Sequence, residues 1–166
     1  MEIRDPAEFA RYFERIHQRT WRVIGCIPPE RFDWAPAEGA FSFADLLRHL
    51  AALERYMFAE NVQGRPSRYP GHSRELAASP EEVLALWRRL HGETLEVLRG
   101  LAPEDLGRRC ETPGGASLPV WKWLRAMVEH HVHHRGQLYL MLRLIDVPTP
   151  PLYGLTSEEV LERSGP

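Results

Sequence analysis

Glu129-His130-His131-Val132-His133-His134-Arg135-Gly136-Gln137-Leu138 holds four of the chain's eight histidines. It lies inside a strongly helical run from Val120 to Ile145, and its place in mid-chain separates it from any purification tag. At about 100° per residue, Met127, His134, Leu138, Met141 and Ile145 share one face, with His130 one turn below His134 near its edge. Imidazoles at i and i+4 of an inward face can share one metal ion, because their Cβ atoms lie only ~5–6 Å apart. The rest of the chain reads as the scaffold that closes a cavity over this pair.

Three more helices precede it. Asp5-Pro6-Ala7-Glu8 starts the first: Asp5 caps, Pro6 suits the first turn and Glu8 completes a capping-box pattern. Phe9, Tyr12, Phe13, Ile16 and Val23 mark its apolar stripe, and Gly25 with Pro28-Pro29 stops it near Ile24. Phe32 and Trp34 then cover one end of a core from an ordered loop. Ser42-Phe43-Ala44-Asp45 opens a second helix whose stripe is Leu46, Leu50, Leu53 and Met57, with His49 about 40° from Leu53 and so facing the interior or its edge. Asn61 to Ser79 reads as a mobile polar connection, long for a bundle loop, in which His72 is expected in solvent. Ser79-Pro80-Glu81-Glu82 opens the third helix, which Gly100 ends.

Beyond the histidine helix, Pro148, Pro150 and Pro151 force an extended segment, and Thr156-Ser157-Glu158-Glu159 starts a short tail helix ending near Arg163. The expected architecture is all-α: an antiparallel four-helix bundle with a short C-terminal tail helix, spanning residues 1–166 as one domain. A net charge of −2 argues against a general nucleic-acid binder. No apolar run approaches the ~20 residues needed to cross a bilayer, and Met1-Glu2-Ile3-Arg4-Asp5 lacks the apolar core of a signal peptide, so a cytoplasmic protein without membrane contact is expected. Cys26 and Cys110 lack CxxC spacing and read as reduced, structural thiols.

A bundle gives a physical reason to combine His49 with His130 and His134, since ligand sites form where facing helices converge in the core. Three imidazoles leave one coordination position open, the pattern of catalytic rather than structural zinc. HxxxH on a helix is a short pattern, however, and core-edge histidines bonded to Glu, Tyr or water fit it equally. His131 lies as centrally as His130, so other triples stay open, while His133 is the poorest candidate. HExxH is absent, and Glu14-Arg15-Ile16-His17 is an ExxH without a mate, better explained as a surface pair than as half of a di-iron site. Glu129 points about 140° from His134, whereas Tyr56, Glu60 and Gln137 are pocket candidates. Arg135 reads as a structural bridge to an acidic residue before an anchor for an anionic substrate.

Two stretches carry a family resemblance. Ser42-Phe43-Ala44-Asp45-Leu46-Leu47-Arg48-His49-Leu50 resembles the second-helix "S…LL.HL" segment of the DinB-like superfamily, and His130 to Leu138 resembles its fourth-helix "H..HHRGQL" signature. Leu142-Arg143 and Pro150-Pro151-Leu152-Tyr153-Gly154 extend the likeness over nearly the whole chain. The resemblance implies a metal site at His49, His130 and His134, holding zinc, nickel or iron. His131 departs from it, standing where many relatives have an acidic residue, and is expected to be a packed histidine.

Relatives implied by this resemblance include mycothiol- or bacillithiol-dependent S-transferases, maleylpyruvate isomerases and proposed metal-dependent hydrolases, often as homodimers. The expected function is therefore a metal-dependent thiol transferase or hydrolase acting on a small molecule, in which the cation activates a low-molecular-weight thiol or water. The contrasting expectation is a non-catalytic, stress-related binding or dimerisation bundle. A fourth protein ligand closing the site would favour the latter.

Overall fold

The computed structural model describes residues 2–165. Asp5 accepts hydrogen bonds from the backbone N–H groups of Ala7 and Glu8, at 2.7 and 3.0 Å, and Pro6 fills the first turn, so helix α1 runs Pro6–Ile24. Helix α2, Phe43–Leu53, opens on a reciprocal capping box between Ser42 and Asp45. It continues through a π turn, Glu54–Phe58, into the short helix α3, Ala59–Val62. Helix α4, Pro80–Arg99, opens on a second capping box between Ser79 and Glu82. A 3-10 turn at Pro103–Gly107 leads into a small antiparallel hairpin, β1 (Arg109–Glu111) and β2 (Ser117–Pro119). Helix α5, Val120–Leu144, carries the histidine cluster, and α6, Ser157–Ser164, is capped by Thr156.

α1 packs against α4 and α5, and α2 packs against the same two helices. The first two helices of the bundle therefore face each other across its centre. Their inward stripes build two apolar clusters. One gathers Val23, Ile24, Leu47, Leu50, Trp87 and Leu138; the other gathers Phe13, Phe58, Leu95, Leu98, Leu124 and Met127. Each fully buried side chain of this kind contributes about 1.5–3 kcal/mol. Between the clusters runs a buried polar layer that includes His17, Thr20, Glu54, His91, Thr94 and His131.

The connection between α3 and α4 is not the loose loop expected from its Gly, Pro and Arg content. Arg48, only 1% exposed, reaches into it and donates to the carbonyls of His72 (2.8 Å) and Ala77 (2.9 Å) while also pairing with Asp45 (2.7 Å). Arg68, also in the connection, binds Glu60 at 2.7 Å. Phe32 and Trp34 pack at the end of the first cluster as expected, and both cysteines are free. Among the described residues, no helix is long and apolar enough to cross a membrane.

Replacing Arg48 with Met keeps an unbranched apolar stem but removes all three charge-assisted hydrogen bonds. The expected cost is about 3 kcal/mol, read as a lower urea midpoint, with faster proteolysis within residues 63–79. An unchanged midpoint would show that the arginine does not hold the loop.

Candidate metal centre

His49 projects from α2, and His130 and His134 project from successive turns of α5. One ring nitrogen of each lies within 4.8 Å of the other two, and all three rings are half-buried. The Nε2 atoms of His130 and His134 are 3.1 Å apart, and the His49 ring centroid stands 4.8 Å from that of His134 and 5.3 Å from that of His130. Nitrogens sharing one tetrahedral ion at ~2.0–2.1 Å are separated by roughly 3.3 Å. The three side chains can hold a divalent ion with small ring movements. Among the described residues, this group of His, Cys, Asp and Glu side chains has three members.

Two neighbours orient the rings. The Gln137 amide oxygen lies 2.6 Å from Nδ1 of His134 and can only accept, so Nδ1 carries the proton and the lone pair is left on Nε2. The Tyr69 hydroxyl lies 2.9 Å from Nδ1 of His49 and 3.3 Å from Nδ1 of His72. Phe41 packs against both of these imidazoles, at 5.4 and 4.3 Å between centroids. Partners of this kind fix tautomer and orientation in metal sites.

Burial, reinforced by His134 and His72, lowers the His49 pKa to about 4. Burial, together with His134, His49 and His133, lowers that of His130 to about 3. Burial also lowers His134, with the Gln137 hydrogen bond opposing. All three rings are accordingly neutral near pH 7, the state that binds a cation. An apolar cavity of about 460 Å³ adjoins them: Phe41, Leu46, Met141 and Leu144 line it together with His134 and Gln137.

Several expectations change place in three dimensions. The most buried polar positions of α5 are His131 and Arg135, at 1% and 2% exposure, so the inward face is turned by about one residue from the one centred on His134. His131 is indeed a packed histidine, its Nε2 lying 2.8 Å from the Thr20 hydroxyl. Arg135 bridges elements as expected, but its partners are the Ile16 carbonyl (3.5 Å) and the Tyr153 hydroxyl (3.1 Å), not an acidic side chain. His133 is exposed, and Glu129 faces outward with Arg125 at 3.2 Å.

Of the pocket candidates, Gln137 reaches the histidines. Glu60 is caged instead by Arg55 (2.5 Å) and Arg68 (2.7 Å); burial alone would raise its pKa, and these hydrogen bonds bring it below the ordinary value. Tyr56 lies within cation–π range of the same two arginines. His72 is half-buried against Phe41 rather than solvated. His17 is 7% exposed in the core, and Glu14 pairs with Arg99 at 3.6 Å, so they are not a surface pair. Tyr69 was not singled out, because its contact with His49 spans 20 residues through the connection that Arg48 holds.

The sequence model of the DinB superfamily matches residues 12–138 of the chain. The uncharacterized protein YjoA of Bacillus subtilis is 23% identical over 130 residues, covering 76% of this chain and 82% of YjoA. Its crystal structure, that of a DinB-like protein, superposes with a TM-score of 0.70, covering 87% of this chain and 96% of YjoA. YfiT of B. subtilis, described as a probable metal-dependent hydrolase with an unusual four-helix bundle topology, gives a TM-score of 0.68 at 18% identity, covering 88% of this chain and 90% of YfiT. A mycothiol-dependent maleylpyruvate isomerase gives 0.64 at 16% identity, covering 81% of this chain and 60% of the isomerase. These structural likenesses establish a shared fold.

The depressed histidines set a direction for acid stability. As pH falls from ~6.5 toward the native values of about 4 for His49 and about 3 for His130, the unfolded chain takes up protons that the folded chain refuses. Stability therefore declines with falling pH across that window, and the buried His17 and His131 act in the same direction. Urea denaturation of chelator-treated protein should show a lower midpoint at pH 5 than at pH 7.5. An equal or higher midpoint at pH 5 would contradict the burial of these rings.

Proposed function

The chain belongs to the DinB superfamily, and on that premise we propose that it is a metal-dependent enzyme whose ion is held by His49, His130 and His134. The observation that supports catalysis over a structural role is the membership of the cluster: three neutral imidazoles converge, and no acidic or thiol side chain completes the set among the described residues. A divalent cation bound there supplies positive charge that lowers the pKa of a coordinated thiol or water, giving an ionised nucleophile near neutral pH. Zinc, nickel and iron all suit imidazole donors.

The chain's own residues then divide the remaining work. Gln137 keeps His134 in the tautomer that presents Nε2. In this reading His49 donates its Nδ1 proton to the Tyr69 oxygen, and the Tyr69 hydroxyl donates in turn to His72. Burial raises the Tyr69 pKa, so the phenol retains its proton and its donor role. The apolar cavity beside His134 receives the non-polar part of an electrophilic small molecule.

Among the two nucleophiles a low-molecular-weight thiol is favoured. Ionising water calls for a base to take its proton, and the histidine cluster includes no carboxylate. A thiol starts from a pKa near ~8.5 and needs a far smaller shift. The mycothiol-dependent isomerase supports this choice, whereas YfiT's description supports the hydrolytic alternative.

The test is turnover by untagged protein reconstituted with Zn²⁺, Ni²⁺ or Fe²⁺, given bacillithiol, mycothiol or glutathione and a chromogenic nitroaryl electrophile. Thioether formation should depend on the metal and fall about 100-fold or more in His134→Ala, which should also lose its ion there while keeping its helical circular dichroism. Ester hydrolysis without thiol would transfer the reading to a hydrolase. Full metal retention at the site in His134→Ala would overturn the ligand assignment.

A further inference from the structure

Between the two apolar clusters, each long rod of the bundle contributes a side chain of metal-ligating type. His17 comes from α1, Glu54 from the π turn that continues α2, His91 from α4 and His131 from α5. Their exposures are 7%, 4%, 8% and 1%, so the group lies within the packed interior. One ligand atom from each of His17, Glu54 and His91 lies within 4.8 Å of the other two. None of these three belongs to the site at His49, His130 and His134.

The polar atoms of this layer are incompletely matched. The Glu54 carboxylate is 2.8 Å from Nδ1 of His91 and 3.8 Å from Nδ1 of His131, and its ion-pairing partners among the described residues are these histidines alone. Nε2 of His17 and Nε2 of His91 are buried without a hydrogen-bond partner. Each orphaned nitrogen costs about 1–3 kcal/mol, and a hydrogen-bonded structural layer would leave neither. The two rings stack at 3.3 Å between centroids and 5° between planes, with Trp87 on the His17 ring at 4.8 Å.

We propose that His17, Glu54 and His91, with His131 beside the same carboxylate, form a second divalent-metal site in the centre of the bundle. A cation beside Glu54 would compensate the carboxylate charge and draw a lone pair from His17 and from His91, whose Nδ1 already faces the carboxylate. Two or three imidazoles and one carboxylate suit a first-row transition ion such as zinc, cobalt(II) or iron(II). The lone pairs of the two stacked rings lie in parallel planes and cannot both point at one ion, so binding requires one imidazole to turn about its χ2 bond. Glu54 begins a π turn, a helix distortion frequent at functional sites. The burial of all four side chains assigns the ion a structural role in which binding is coupled to folding.

Co²⁺ is a suitable probe, supplied in excess during refolding from urea because the layer is shielded from solvent, with free ion then removed. The expected stoichiometry is two ions per wild-type chain, one in His130→Ala/His134→Ala, and none when Glu54→Gln is added to that double variant. If the Glu54→Gln chain fails to refold, His17→Gln in the same background should likewise lose the remaining ion. A refolded His130→Ala/His134→Ala protein that holds no Co²⁺ overturns the proposal, as does an ion retained in both core variants. A single wild-type ion that survives the double variant but is lost with Glu54→Gln would leave the core site standing and remove the outer one.

Discussion

An imidazole withdrawn from water must have its ring nitrogens met, and every histidine here except His133 is buried or half-buried. That constraint organises the bundle. His49, His130 and His134 form a half-buried group beside a cavity, with Tyr69 and Gln137 taking outer nitrogens. His17, His91 and His131 form a buried group around Glu54, with Thr20 taking one nitrogen of His131. The apolar clusters on either side of this second group supply its burial, which lowers the pKa values of His17 and His131.

α5 links the two groups through adjacent residues. A helix turns about 100° per residue, so His130 meets His49 and His134 while His131 enters the core. The loop between α3 and α4 completes the outer group, bringing Tyr69 and His72 against His49. Arg48 makes this possible from the residue next to His49, by binding two loop carbonyls with a side chain withdrawn from solvent. One turn of α2 therefore supplies both a candidate ligand and the tether for its hydrogen-bond partner.

The helices were legible in the sequence because their boundaries rest on local chemistry: Ser42 with Asp45, Ser79 with Glu82, and Thr156 with Glu159 form the boxes their spacing implies, while Asp5 caps the first helix beside Pro6 without the reciprocal bond expected from Glu8. The exact face of α5 was not, since Met127, Leu138 and Met141 tolerate a rotation of one residue, which decides whether His131 or His134 is central. His17 was read with Glu14 as a surface pair, an ExxH without a mate; its burial follows from His91 and Trp87 on a helix more than 60 residues away. Glu54 and the π turn left no sequence signal at all. The loop read as mobile from its composition, whereas contacts to residues outside it, from Arg48 to two of its carbonyls, from Arg68 to Glu60 and from Tyr69 to His49, hold it in place. Helix spacing turned His49 toward His130 and His134 but left triples with His131 open, and it was the family signature from His130 to Leu138 that selected the set that converges.

Zinc-edge anomalous diffraction from crystals of untagged protein grown with Zn²⁺ tests the central claim most directly, since it locates each ion separately. Three-imidazole binding predicts an anomalous peak ~2.0–2.1 Å from one nitrogen each of His49, His130 and His134, with no protein side chain in the remaining position. No peak between these rings, or a fourth protein ligand closing the site, would contradict it.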